Sequence, residues 1–301
     1  MSRLLIVFIL ALTGGPVSEP VATGPSLTAE LTTEELTTEE RGDAAWRRRA
    51  AGFPEVLDPE PTRTAATAYE EALDADPHDL GVLLKLMEAV YFERDFLTAD
   101  RARQIELDER LVALSDRALA EVARRAGTTT EELDALPLEE RADRIHAAPE
   151  AARTHFWSAI SWGLWGMSHS RWAAATHGVA GRIRDHARMV VLLDETFADA
   201  GGLRLLGRLH SLTPRVPFVT GWIDREAGIE HLRRANEISR RDPRNPLFLA
   251  EALLAAGDAS RAEALELLRE VAGRSPSPDW LAEESRTLDE ARAVLAREEK
   301  R

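Results

Sequence analysis

From about residue 61 onward, apolar residues return every third or fourth position in one segment after another, and no window sustains strict alternation. That spacing lines apolar side chains along one face of a helix, whereas a half-buried strand needs a period of two. Such a chain can shelter its apolar faces only by packing helix on helix, so the expected fold is all-α with no sheet. "TRTAATAYEEALDADPHD" (62–79) reads as a helix ended by Pro77, "LGVLLKLMEAVYFERDF" (80–96) as a second, and "ARQIELDERLVALSDRALAEVARRAG" (102–127) as a long third closing at Gly127. "TTTEELDALPLEERADRIHAA" (128–148) opens with capping-box spacing at Thr128/Glu131 and Thr129/Glu132. Pro149 suits the first turn of the next helix. A helix near 174–199 is expected to stop at Gly201-Gly202, with "LRLLGRLHSL" (203–212) as a short one after it. "TPRVPFVTGW" (213–222) is too rich in Pro and Gly for a helix, and helices are expected near 224–240, 246–256, 259–273 and 278–298.

The helices carry a trace of a repeat. Ala65, Tyr69, Ala72 and Pro77 sit at offsets that suit the second helix of a tetratricopeptide pair, where small residues meet the partner helix and proline closes the unit. Ala264, Leu268, Val271 and Pro276 repeat those offsets, while Gly228, Leu232 and Ala235 match with a late Pro243. The spacing predicts a degenerate tetratricopeptide-like array of helix pairs, an α-α superhelix without strict regularity, spanning 61–301 as a single domain.

The N-terminal part differs. Met1-Ser2-Arg3 precedes the apolar run "LLIVFILAL" and then Thr13-Gly14-Gly15-Pro16, so residues 1–15 read as a secretory signal or a short apolar segment. Nine apolar residues are fewer than the ~20 a membrane-spanning helix needs, so no stable span is expected in the mature chain. Residues 16–60 set ten acids against four arginines and include the low-complexity "LTAELTTEELTTEERG" (27–42). They read as a largely disordered acidic tether, with a transient helix from about 29 to 50 as its one regular element.

Composition closes off several functions. A formal net charge of −14 makes a phosphate backbone a poor partner, so no nucleic acid is expected. Without a cysteine there is no disulfide, thiolate site, cysteine nucleophile or acylated lipoprotein terminus. No HExxH, GxSxG, GxGxxG or Walker pattern occurs. The eight histidines include no pair spaced to put two ligands on one helix face, and no pair of carboxylates is marked for acid–base work. The chain is therefore read as non-enzymatic, with no metal and no cofactor.

The candidate binding residues fall in two places. "HFWSAISWGLWGMSHSRW" (155–172) holds four of the seven tryptophans. On one helix Trp162, Trp165, His169 and Trp172 would share a stripe, with Trp157 beside it. These rings either form the core of the array or wall a groove for an apolar or amphipathic ligand, with His169 orienting its polar end. Farther on, Arg204, Arg208 and His210 lie close on a short helix, with Arg215 in the loop beyond. They either receive a carboxylate or pair with the chain's own acids.

"FWSAISWGLWG", "ADAGGLRLLGRLHSLTPRVP", "GIEHLRRANEIS" and "LFLAEALLAAGDASRAEALELLREV" together resemble the T-component of tetratricopeptide-associated TRAP transporters. The resemblance implies a periplasmic helical scaffold with a central pore or cleft, near which Trp162, Trp165 and the "GGLRLLG" segment would lie. It also implies a trimeric association, an extracytoplasmic solute-binding protein or other envelope protein as partner, and uptake of an organic acid or more hydrophobic solute. One departure stands out. The family's components are lipoproteins, and this chain has no cysteine to acylate. It would then be soluble in the periplasm or held by its N-terminal segment. The other reading of the same residues is a general interaction scaffold of the cell envelope.

Overall fold

The computed structural model describes residues 36–300; the expected signal segment 1–15 and tether residues 16–35 lie outside them. The described residues form fourteen α-helices joined by short turns, with no strand among them. The fold is an all-α helical array.

The array is built from helix pairs. α1 (Thr38–Trp46) packs on α2 (Glu60–Ala75), α10 (Phe197–Leu212) on α11 (Arg225–Ile238), and α12 (Arg244–Ala256) on α13 (Arg261–Ala272). The repeat residues explain why. Ala65, Tyr69, Leu232, Ala235, Ala264, Leu268 and Val271 are all essentially inaccessible to solvent. Each set lies on the second helix of its pair, so small or branched side chains meet the partner helix. At Gly42 a Cβ would stand 2.5 Å from the Tyr69 ring, so glycine is what lets α1 lie down on α2.

That first pair shows what the described part of the expected tether does. Residues 38–46 form a stable helix: Thr37 and Glu40 make a full capping box, and Ala45 is buried. The acidic residues are used as anchors. Glu39 and Asp43 both accept from Lys85 at 2.7 Å, and Tyr69 donates to Asp43 at 2.8 Å. The helix expected in the tether is there, and two of its acids are matched by Lys85, more than 40 positions away.

The middle runs through α3 (Leu80–Phe92), which continues into a π-helical turn at Glu93–Leu97, then α4 (Arg101–Arg125) and the short α5 (Thr130–Asp134) and α6 (Leu138–Ile145). α7 (Ala151–Ser168), α8 (Arg171–Thr176) and α9 (Val179–Leu193) follow. Here Gly201-Gly202 does not end a helix. The break comes earlier, where Ala198, Asp199 and Ala200 take left-handed φ angles of 52°, 55° and 63°, and both glycines lie inside α10. Their role is close approach: a Cβ at Gly201 would stand 2.6 Å from the Phe156 ring, and one at Gly202 3.0 Å from the Ala187 carbonyl oxygen.

Two large apolar cores result, with a small cluster of Ala200, Leu203 and Ala235 besides. One runs from Ala45 to Ile223 and the other from Leu232 to Val294. Near their boundary lie buried ion pairs, with Arg204 against Asp242 at 3.2 Å and Arg244 also on Asp242. α14 (Leu281–Glu298) brings the chain's end back to its beginning. Arg49 donates to Glu283 at 2.8 Å, with its guanidinium 4.6 Å from the Trp46 ring centre and 4.7 Å from that of Trp280. Arg286 of α14 pairs with Asp95, to which Tyr91 also donates at 3.1 Å. The array is thus clasped from end to end.

Candidate functional site

Where α7 and α9 lie side by side, residues of α4, α5 and α6 join them in lining a part-open cavity of about 360 Å³. Its apolar wall comes from Leu119 and Val122 of α4, Ile145 of α6, Met189 of α9 and the ring of Trp162. The helical repeat explains the composition. His155 and Trp162 are seven residues apart on one face of α7, while His186 stands between Ile183 and Met189 on the inward face of α9.

Polar and charged groups line it as well: Asp116, Thr130, Asp134, Arg141, His155, Arg182, Asp185 and His186. His155 and His186 meet Nδ1 to Nδ1 at 2.9 Å, with ring centres 5.1 Å apart. Burial pushes the His155 pKa well below the usual histidine value, and His186 and Arg141 push it further. Burial likewise brings His186 down to about 4, with Arg182 and Arg141 acting in the same direction against Asp185. Both rings are therefore neutral at neutral pH. Arg141 is tied to Asp134 at 2.8 Å and to the backbone oxygens of Asp134 and Leu136. Arg182 stacks its guanidinium 4.4 Å from the Trp162 ring centre. Asp116 has no hydrogen bond or ion pair among the described residues, and desolvation raises its pKa.

Of the sequence-predicted residues, only Trp162 reaches this cavity. Trp157 is sealed in the core, 5.4 Å from Tyr91. The predicted stripe is broken because α7 stops at Ser168 and Ser170 caps a new helix, accepting from Ala173 N–H at 3.1 Å. Trp165 is half-buried, with His169 stacked on it at 3.8 Å and His177 at 4.8 Å. Trp172, on α8, is 77% exposed. These positions set a graded expectation. Trp165→Ala costs about 1–2 kcal/mol, less than a fully buried ring, while Trp172→Ala stays within about 0.5 kcal/mol. Urea midpoints of the two variants against the parent chain check this, and equal losses would contradict the broken stripe.

Of the two readings of the arginine cluster, the structure shows the pairing of Arg204 and Arg208 with the chain's own acids. Arg204 is buried and donates to Asn245 Oδ1 at 2.9 Å as well as pairing with Asp242. Desolvation lowers its pKa to about 10. Arg208 pairs with Glu251 and lies 4.1 Å from the Phe248 ring centre. His210 accepts the Asp224 backbone N–H at 3.0 Å, and Arg215 donates to the Gly221 carbonyl at 2.9 Å. These groups are spent on the fold and do not converge on a common ligand position.

In the sequence His155 and His186 are two of eight scattered histidines. Their sequence separation of 31 hides a pairing that α7–α9 packing creates. Among the described residues no group of three or more His, Cys, Asp or Glu is placed to hold a metal ion. None of the described helices is long and apolar enough to cross a membrane. The sequence matches no family model and no curated protein.

Proposed function

We propose that this chain is a non-enzymatic binding subunit of the cell envelope, of the kind the T-component of TRAP transporters represents, which holds a small molecule and docks on an extracytoplasmic solute-binding protein. The observation that carries the reading is the cleft lined by Trp162 and by the neutral His155–His186 pair. It sets an apolar wall beside fixed polar and charged groups, which together can orient a small molecule. A docking element supports the partner half of the proposal. In the loop 213–222, Phe218 is fully exposed at a φ of 64°, flanked by the exposed Val216 and Val219. The loop is stiff, because Thr220 accepts from Val216 N–H at 2.9 Å and donates to the Pro214 carbonyl at 2.6 Å. An apolar tip held rigid in water is costly unless something covers it.

The test is capture from the native cell envelope, with the mature chain from about residue 25 as bait and Phe218→Ser as comparison. Recovery of a solute-binding protein or permease, reduced by Phe218→Ser, is the expected result. Recovery only of unrelated envelope proteins would move the reading to a general interaction scaffold.

A further inference from the structure

The cleft is charged at its mouth and apolar within. Asp116 of α4 and Arg182 of α9 line it and are exposed, whereas Val122, Ile145 and Met189 are buried. The helices keep the two regions apart. α7 and α9 run antiparallel: Arg182 stacks 4.4 Å from the Trp162 ring centre, and His186 meets His155, two turns back along α7, at 2.9 Å. α4 brings Asp116 in near the Trp162 end, because its neighbour Ser115 donates to Ser158, one turn before Trp162, at 2.7 Å. From there Leu119 and Val122 follow on one face of α4 toward the histidines.

The two charges at the mouth face each other without touching. Arg182 is the charge that acts on Asp116, yet neither a hydrogen bond nor an ion pair joins them. Arg182 spends its Nε on the His177 carbonyl at 3.1 Å and keeps both terminal nitrogens without a hydrogen-bond partner among the described residues. The remaining charges of the lining are already paired, Arg141 with Asp134 and Asp185 with Arg184, each at 2.8 Å. His155 and His186 spend their Nδ1 atoms on each other and are neutral.

A ligand with one charge does not suit this mouth. A carboxylate on Arg182 stands beside Asp116, and an ammonium on Asp116 stands beside Arg182, so each gains one contact and meets one like charge. A head that carries both charges turns that repulsion into a second charge-assisted contact. The gap between Asp116 and Arg182 is what lets such a head sit between them. The cavity of about 360 Å³ has room for about a dozen non-hydrogen atoms at the ~30 Å³ each occupies in a liquid.

We propose that this cleft binds an apolar α-amino acid as its zwitterion, with its carboxylate on Arg182, its ammonium on Asp116 and its side chain packed inward on Leu119, Val122, Ile145 and Met189. The inference names the ligand class of the site in the proposed function and rests on that cleft being the ligand site.

The probes are L-leucine, isocaproate and isoamylamine, which share the branched chain and carry both charged groups, only the carboxylate and only the ammonium. L-Phenylalanine tests a larger side chain on the same head. Titrating each into the full chain at pH 7.5, by calorimetry and tryptophan fluorescence, should give leucine or phenylalanine binding at least about tenfold tighter than either single-charge analogue, the usual effect of one charged hydrogen bond. Asp116→Asn should weaken amino-acid binding about tenfold and strengthen isocaproate, whereas Arg182→Gln should weaken both. The comparison of ligands on the parent chain needs no variant, so it decides even where a substitution disturbs the fold. Absence of amino-acid binding up to solubility, equal binding of the leucine series, preference for either single-charge analogue, or amino-acid binding indifferent to both substitutions overturns the assignment. Capture of a solute-binding partner without amino-acid binding would sink this inference alone. Amino-acid binding without a partner would sink only the transport reading.

Discussion

Asp242→Ala is expected to cost the fold about 3–5 kcal/mol, the usual result of stripping one partner from a buried ion pair. Asp242 has a fully buried side chain and accepts from Arg204, from the Arg244 guanidinium and from the Arg244 backbone N–H at 2.9 Å. Desolvation alone would raise its pKa, yet the two arginines hold it at about 2. Removing it takes away the anion that two guanidiniums at 3% and 4% exposure share, and weakening the compensation of a buried charge is what makes such losses large. For a chain of this size the melting temperature should fall by about 10 °C. Urea unfolding followed by circular dichroism at pH 7.5 measures the loss. Replacing Arg204, Asp242 and Arg244 together with apolar residues of similar volume should recover most of it. A loss under about 1 kcal/mol in the single variant would mean that the pairs do not act as a dry layer.

The second large effect is a loss of stability in mild acid. His155 and His186 are held neutral by the fold, while in the unfolded chain they titrate at about 6.5. The unfolded state therefore binds protons first as pH falls, and stability drops from pH 6.5 downward until the folded groups also protonate. For His186, whose folded value is about 4, the full drop is about 3 kcal/mol. His210 and His231, also lowered chiefly by burial, add in the same sense. Asp116, Glu284 and Glu290 are raised by burial and act oppositely. Comparison with His186→Phe isolates the pair. Urea midpoints from pH 8 to pH 4.5 should fall in the parent chain and fall less in the variant. Parallel curves would show that the pair is not the acid-sensitive element.

The helical segments were legible because their signals are local. The proline at 77, the glycine at 127 and the cap at Thr129 sit where α2, α4 and α5 end or begin. Of the two capping-box spacings in "TTTEEL", the structure uses Thr129 with Glu132. The repeat offsets were legible for a related reason: small residues recur wherever two helices touch. The Trp stripe misled, because periodicity counts on through Ser168–Ser170 while the backbone turns away there. Gly201-Gly202 misled because glycine serves close approach as well as chain reversal, and only the position of Phe156 tells which.

The candidate site follows the same division. Trp162 announced itself as a large ring on an apolar face, but its polar companions did not. His155 and His186 belong to separate helices, and Asp116 and Arg182 look like ordinary surface charges in a chain full of them. Sequence by itself determined that this chain folds as packed helices, since the period of apolar residues is a property of each segment alone. Which helices touch, which charges become buried pairs and which two histidines share one proton were decided by the tertiary structure. Those contacts join residues tens to hundreds of positions apart, and no local pattern records the distances between them.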